Sequence, residues 1–447
     1  MLFQQFLDDE LGCAAYLVGD EDAGVAAVVD PPYALEPVFA AAERRGVRIV
    51  RTLETHTHAD HLSGHGRLAL ENGVPISIHP AADPEYPYDP LEDGGELELG
   101  RVVLRALHTP GHRPEHTCLA VADHFRSEEP WLVLTGDSLL VGDAGRPDLA
   151  VDARKGAEGL FHSLKRLLEL PDGVEVFPGH VAGSLCGTGI SSKASSTIGF
   201  ERRFNRALQI QDELQFVAEA ASVGVPKPPN TSRLVELNRG PFVGAPRDVV
   251  ELQAYEHGTT VLDVRRVEDF LAGHAPGSIS VPLASGSFAT KAAFVLDPSD
   301  RIVIGASSTE EAARAIRALR AVGFLELTGY VLGGGAERMA AVTLDELEVL
   351  LETGADLIDV RERDERDGGY IAGSRNIPYR LLALGGVDVD VPEGRPIVTI
   401  CETGARAGIA ASLLAGRGLD ARPVLDGGVS SWSARGGRTV EFRRCGS

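Results

Sequence analysis

Short apolar runs recur along the first half of the chain, each closed by turn-forming residues: CAAYLVGD, GVAAVVD, VRIVRTLETH, VPISIHP, RVVLRALHTP, WLVLTGD and VEVFPGH. Their β-branched content and their Gly, Asp and Pro boundaries predict strands. Between them, LEPVFAAAERRG and AEGLFHSLKRLLEL space apolar residues three and four apart, which predicts helices with one buried face. The Pro-rich, polar stretch VPKPPNTS reads as a linker. A first domain is therefore expected over residues 1–237.

The remainder repeats itself. TTVLDVRRVEDFLAGHAPGSISVPL matches ADLIDVRERDERDGGYIAGSRNIPY, so that Asp263–Arg265 answers Asp359–Arg361. Gly277, Ser278 and Pro282 answer Gly373, Ser374 and Pro378, and each copy ends in a glycine-rich turn. Strands alternating with helical patterns such as EEAARAIRAL and RAGIAASLL predict two α/β units with parallel sheets, at 238–337 and 338–447. The fold class is thus α/β multidomain.

Composition narrows the function. At 447 residues the chain exceeds one ordinary core. Its net charge of -22 argues against nucleic acid and anionic membrane as partners. The N-terminus is acidic where a signal peptide would be basic, and no apolar run is long enough to span a bilayer. Five scattered cysteines form no disulfide framework and suit a reducing compartment, so cytoplasm is the expectation. Cys13 and Cys118 fall in apolar strand patterns and read as small core residues.

Histidines and aspartates gather where the strands end. THTHADH carries His56, His58, Asp60 and His61; TPGH, TGD and FPGH add His112, Asp137 and His180. Imidazoles and carboxylates on loops at strand ends can converge on one divalent metal. The spacing alone leaves one or two metals open.

HxHxDH with these later residues resembles the metallo-β-lactamase superfamily, which implies an αββα sandwich for the first domain. Within it, THTHADHLSG, TPGHRPEH and TGDSLLVGDAGRPDL look most like persulfide dioxygenases. That resemblance implies one Fe(II) per chain on His56, His112 and Asp137, with positions left for substrate and O₂. His58, Asp60, His61 and His180 then orient the iron ligands. Those four also complete the ligand set of two-metal hydrolases such as glyoxalase II, with Zn(II) as the alternative metal. Arg146 either meets a carboxylate of a glutathione-like substrate or pairs with Asp148. Cys186, after FPGH, is a candidate for handling substrate sulfur.

CETGARAG follows the apolar strand PIVTI and opens a helix, placing Cys401 among backbone N–H groups with a helix dipole behind it. Cys401, Gly404 and Arg406 match the Cys-x-x-Gly-x-Arg loop of single-domain rhodaneses. The resemblance implies a Cys401 persulfide. In the first copy IVIGASSTEEAARA puts Ala306 opposite Cys401 and Glu311 opposite Arg406, so that copy is expected to be inactive.

Together these resemblances imply oxidation of a thiol persulfide by O₂ to sulfite, coupled to sulfur transfer that makes or uses thiosulfate. A homodimer rests on the resemblance alone. A zinc thioester hydrolase with an accessory rhodanese, and a persulfide sensor or carrier, are the alternatives.

Overall fold

A computed structural model describes residues 1–181, 189–222, 224, 226–383, 389 and 395–441. The chain divides into two compact units, Met1–Pro246 and the chain from Arg247 onward, with Arg320–Gly323 grouping with the first.

The first unit holds two six-stranded sheets. One runs β1 (Leu2–Leu7), β2 (Ala14–Asp20), β3 (Val25–Val29), β4 (Arg48–Leu53), β5 (Ile76–Ile78) and β6 (Asp89–Pro90) in sequence order. β1, β2 and β3 are antiparallel neighbours, and β3 to β6 pair parallel. The other sheet contains β7 (Glu96–Leu99), β8 (Val102–His108), β9 (Thr117–Asp123) and β10 (Leu132–Gly136). After a hairpin of β11 (Leu139–Leu140) and β12 (Asp143–Ala144), that sheet is completed by β13 (Glu175–Pro178) and β14 (Ser196–Thr197), in the order β14-β13-β10-β9-β8-β7.

Strand alternation sends one set of side chains between the sheets. Tyr16, Val18, Ala27, Val29 and Leu53 meet Leu104, Leu119, Val121, Leu132 and Leu134 there. The opposite face of the first sheet buries Leu17, Ala26 and Val28 under α1 (Glu36–Arg45) and α2 (His65–Asn72). Val133 and Val176 on the second sheet pack under α3 (Ala153–Leu167), α4 (Ile198–Phe204) and α5 (Glu213–Ser222). Helix α3 buries Leu160, Leu164 and Leu167 at helical spacing, and Asp152 caps its start by accepting from the Arg154 and Lys155 amides. The layers are α, β, β, α. Helix α6 (Thr231–Arg239) also belongs to this unit, which runs past Leu237 to Pro246.

The second unit contains the repeat as two four-stranded parallel sheets. The first copy comprises β15 (Thr260–Asp263), α7 (Val267–Ala272), β16 (Ile279–Ser280), α8 (Phe288–Val295), β17 (Ile302–Ala306), α9 (Thr309–Ala321) and β18 (Leu327–Leu332). The second copy begins α10 (Leu344–Glu352), β19 (Asp356–Asp359), α11 (Arg363–Asp367), β20 (Tyr370–Ile371), β21 (Arg375–Asn376) and α12 (Tyr379–Leu382). It closes with β22 (Ile397–Ile400), α13 (Ala405–Ala415), β23 (Ala421–Pro423), α14 (Val429–Ala434) and β24 (Thr439–Val440), the last pairing with β20.

The strand orders, β16-β15-β17-β18 and β21-β19-β22-β23, are equivalent. So are the registers: Asp263 lies opposite Gly305, and Asp359 opposite Ile400. Ala306 and Cys401, one residue further, therefore occupy the same place in the two copies. Each Asp-Val-Arg forms the same fork. Arg265 binds Asp263 and the Gly273 carbonyl, and Arg361 binds Asp359 and the Gly369 carbonyl.

Candidate metal centre and sulfur-transfer loop

The ligand loop of the first unit leaves β4 at Glu54 and enters α2. Asp30, in the left-handed region at φ 48° after β3, accepts from the Thr55 amide at 2.7 Å and its hydroxyl at 2.8 Å. The Thr55 hydroxyl lies 2.9 Å from His56 Nδ1, so the other ring nitrogen points inward. His112 Nδ1–H donates to the Arg146 carbonyl at 2.9 Å, again leaving Nε2 free to face the site. A ring nitrogen tied to an oxygen while its twin faces the cavity is the usual state of a metal-binding histidine.

Asp137 follows β10. Its Oδ1 lies 2.6 Å from His180 Nδ1, and its Oδ2 lies 3.4 Å from His112 Nε2 and 3.9 Å from His56 Nε2. His56 Nε2 and Asp137 Oδ2 are buried without a hydrogen-bond partner. Burial holds His56 and His112 below the usual histidine range, which keeps them neutral. Burial alone would raise the Asp137 carboxyl, but His180 and His112 beside it hold it well below the usual carboxylate range. Two neutral imidazoles and a carboxylate with orphaned atoms fit a divalent cation.

The sequence around the aspartate is shaped by this packing. The Asp137 amide donates to His116 Nε2 at 2.9 Å, so the His116 proton sits on Nδ1, 3.0 Å from the Thr109 hydroxyl. Burial pushes His116 down to about 3, which keeps it a neutral acceptor. Gly136, at φ +45°, passes so close that a Cβ would stand 2.6 Å from His116 Nε2. A Cβ on Gly145 would stand 1.8 Å from the Asp137 carbonyl oxygen, which explains the glycine before Arg146.

The other predicted residues surround the triad. His58 Nε2 lies 3.1 Å from Glu54 and 3.3 Å from Asp30. Burial would lower His58, yet these two carboxylates raise it well above the usual range. Asp60, His61 and His180 meet on the far side of Asp137, with His180 Nε2 2.7 Å from Asp60 Oδ2. Arg146 is buried and grips Asp148 with both Nε and Nη2, at 2.7 and 2.8 Å. Lys227, from the Pro-rich stretch, joins Asp148 at 3.1 Å. Cys186 lies outside the described residues.

Two residues escaped the sequence reading. The strand pattern around Cys13 reads as core, but its half-buried thiol lies 3.2 Å from His180 Nε2. An antiparallel bridge between Cys13 and His180 brings it there, and no local motif marks it. Asn238 of α6 donates to the carbonyls of His58 and His61 at 3.0 and 2.8 Å and accepts from the Ser63 amide at 2.9 Å. Cys118 is buried as expected, and burial pushes its thiol up to about 12.

In the second unit, Cys401 closes β22. Its Sγ accepts from the Gly404 amide at 3.1 Å, and Gly404 sits at φ +88° at the start of α13. Arg406 makes a fork to Glu365 of α11 at 2.6 and 2.8 Å. In the first copy Ala306 offers no thiol. The Glu311 carboxylate folds back instead to accept from the Ser307 amide at 2.5 Å.

Fold and site thus define a metal-binding αββα domain joined to two rhodanese-type α/β domains. The metallo-β-lactamase superfamily model matches residues 8–180, and the rhodanese-like domain model matches 248–341 and 343–435. The chain belongs to the metallo-β-lactamase superfamily through its first unit and carries two rhodanese-like domains in its second. The mitochondrial persulfide dioxygenase ETHE1 of Bos taurus is 29% identical over 243 residues, 53% of this chain and 87% of that protein. The Homo sapiens form is 28% identical over 241 residues, again 53% and 87%. A probable zinc-dependent hydrolase of Bacillus velezensis is 27% identical over 42% of this chain and 80% of its own. Among solved structures, a metallo-beta-lactamase from Staphylococcus aureus aligns with a TM-score of 0.69 at 28% identity, covering 74% of this chain and 98% of that one. Among the described residues, no helix is long and apolar enough to cross a membrane.

Proposed function

We propose that the chain oxidises a low-molecular-weight persulfide of the glutathione type with O₂, giving sulfite and free thiol, and transfers sulfane sulfur through Cys401. One observation carries the first half: His56 Nε2, His112 Nε2 and Asp137 Oδ2 converge, two of them orphaned in a buried site. The persulfide dioxygenases similar to this domain, and the sulfur-transfer loop on the same chain, support sulfur oxidation over other chemistry.

Fe(II), if held by His56, His112 and Asp137, would supply the redox chemistry that brings O₂ to the persulfide sulfur. The chain's own residues keep the triad in shape. His116 holds the Asp137 backbone, Thr55 and the Arg146 carbonyl set the imidazole orientations, and Asn238 fixes the ligand loop. His58, Asp60, His61 and His180 are assigned the role of orienting groups. Arg146 is the candidate for a substrate carboxylate and Cys186 for substrate sulfur. The reaction balances as RSSH, O₂ and H₂O giving RSH, sulfite and two protons.

In the last domain the Cys401 thiolate attacks the outer sulfur of a donor such as thiosulfate. The S–S bond breaks, sulfite leaves with its electron pair, and the sulfur stays as a Cys401 persulfide. Run backwards, the same step makes thiosulfate from the sulfite of the first site. Gly404 presents its amide to the sulfur, and Arg406 is the cation for the anionic substrates. The first rhodanese-like copy serves as scaffold. Both sites on one chain raise the effective concentration of the shared sulfur species. This reading keeps the protein in the cytoplasm, as a homodimer, without nucleic acid or membrane partners.

Metal analysis of anaerobically purified protein tests the reading, with about one iron per chain expected. Asp60, His61 and His180 meeting beside the triad favour one competitor, a zinc thioester hydrolase. Thioester turnover without persulfide-dependent O₂ uptake would decide for it.

A further inference from the structure

Arg113 follows the ligand His112 directly and lies on a turn that several hydrogen bonds hold closed. Its carbonyl accepts from the Gly111 and His116 amides, both at 3.2 Å, and the Pro114 carbonyl accepts from His108 Nε2–H at 2.8 Å. The side chain keeps only 10% of its surface exposed, and its Nε donates to Glu115 Oε1 at 2.6 Å. The same oxygen accepts from the Thr57 amide at 3.1 Å, between His56 and His58. The guanidinium is thus tethered one carboxylate away from the ligand loop. Its charge reaches the triad: burial lowers His112, the Asp137 carboxylate opposes this, and Arg113 adds to the lowering. Among the described residues, Arg113 Nη1 and Nη2 have no hydrogen-bond partner.

We propose that Arg113 is the cation that receives a carboxylate of the persulfide substrate, so that the first site prefers persulfides of acidic thiols. This rests on the dioxygenase reading of that site, whose substrate it specifies. Asp30, Glu54, Asp137 and Glu115 are buried close to the triad, and the whole chain carries a net charge of -22. An anionic substrate therefore needs a local cation. Arg146 commits Nε and Nη2 to Asp148. Arg113 commits Nε alone, and its two terminal nitrogens are a pair that a carboxylate takes side by side. With Nε tied to Glu115, the guanidinium is oriented before the substrate arrives, so little freedom is lost on binding. The contact lies away from the reacting sulfur and holds ground state and transition state alike.

The test uses the full-length protein as purified and S-methylglutathione, whose blocked sulfur cannot form a thiolate. Calorimetry should show the parent binding it at least about tenfold more tightly than its dimethyl ester. Arg113→Gln should lose that preference, weakening the acid by about tenfold or more and leaving the ester unchanged. Arg113→Lys keeps a charge against Glu115 and should fold as the parent does, with the acid weakened at least about threefold because the fork is lost. In O₂ uptake, Arg113→Gln should raise KM for glutathione persulfide by about tenfold with kcat within about twofold. The KM for cysteamine persulfide, which has no carboxylate, should not follow. Arg113-dependent binding of S-methylglutathione without persulfide-dependent O₂ uptake would refute the dioxygenase reading and leave the carboxylate contact standing. Acid and ester bound equally by the parent, or an acid affinity that Arg113→Gln leaves unchanged, overturns the proposal. If Arg113→Gln does not fold, Arg113→Lys decides, and an undiminished affinity there overturns it as well.

Discussion

The Asp137 carboxylate is divided between two duties: Oδ1 meets His180 Nδ1 at 2.6 Å, and Oδ2 is left bare toward His56 and His112. The pair fixes which oxygen faces the metal position. His180→Ala should free the carboxylate to rotate and weaken iron binding by about 10- to 100-fold, the usual effect of losing an orienting partner. Competition against a chelator reads this directly. An unchanged iron affinity would show that Asp137 is held by other means.

Asn238 makes three hydrogen bonds to the ligand loop from a buried position. Asn238→Ala leaves two carbonyls and an amide without partners, at about 1–3 kcal/mol for each group that water cannot reach. Thermal unfolding of the first unit should move down, and iron affinity should fall with it. Loss of neither would mean that the loop holds itself.

Cys401→Ser should eliminate thiosulfate:thiol sulfurtransfer, because a hydroxyl forms no persulfide. Iron content and persulfide-dependent O₂ uptake should persist. Loss of iron in this variant would contradict the separation of the two chemistries.

Glu311 caps its own loop in the first rhodanese-like copy. Restoring a thiol there, Ala306→Cys in a Cys401→Ser background, leaves the Ser307 amide occupied by a carboxylate and the loop negative. Sulfurtransfer should stay absent. Adding Glu311→Arg should return a small part of it, because both the plug and the repulsion go. Full activity from the thiol alone would show that the loop still cradles anions.

What the sequence disclosed depended on how each residue reaches its place. His56, His112, Asp137 and His180 sit in short motifs at strand ends, where a polar cluster inside an apolar pattern stands out. The rhodanese-type copies were legible because Asp263 and Asp359 anchor matching strings, and the equal registers follow from that. Cys13 was not legible, since it meets His180 across 167 residues through a single bridge and its own surroundings are apolar. Asn238 meets His58 across 180 residues, from a helix whose sequence names no partner. Charge alone predicts that Glu311 repels anions. That it also folds back onto Ser307 is a matter of backbone geometry, which no residue count carries.

The central claim is that the His56, His112 and Asp137 site consumes O₂ to oxidise persulfide sulfur. The most direct measurement follows O₂ uptake and sulfite formation together, in iron-loaded parent and in His112→Ala, with glutathione persulfide as substrate. The account predicts one sulfite per O₂ in the parent, and neither uptake nor iron in the variant. Sulfite formed without O₂ uptake, or uptake that survives the loss of His112, would contradict it.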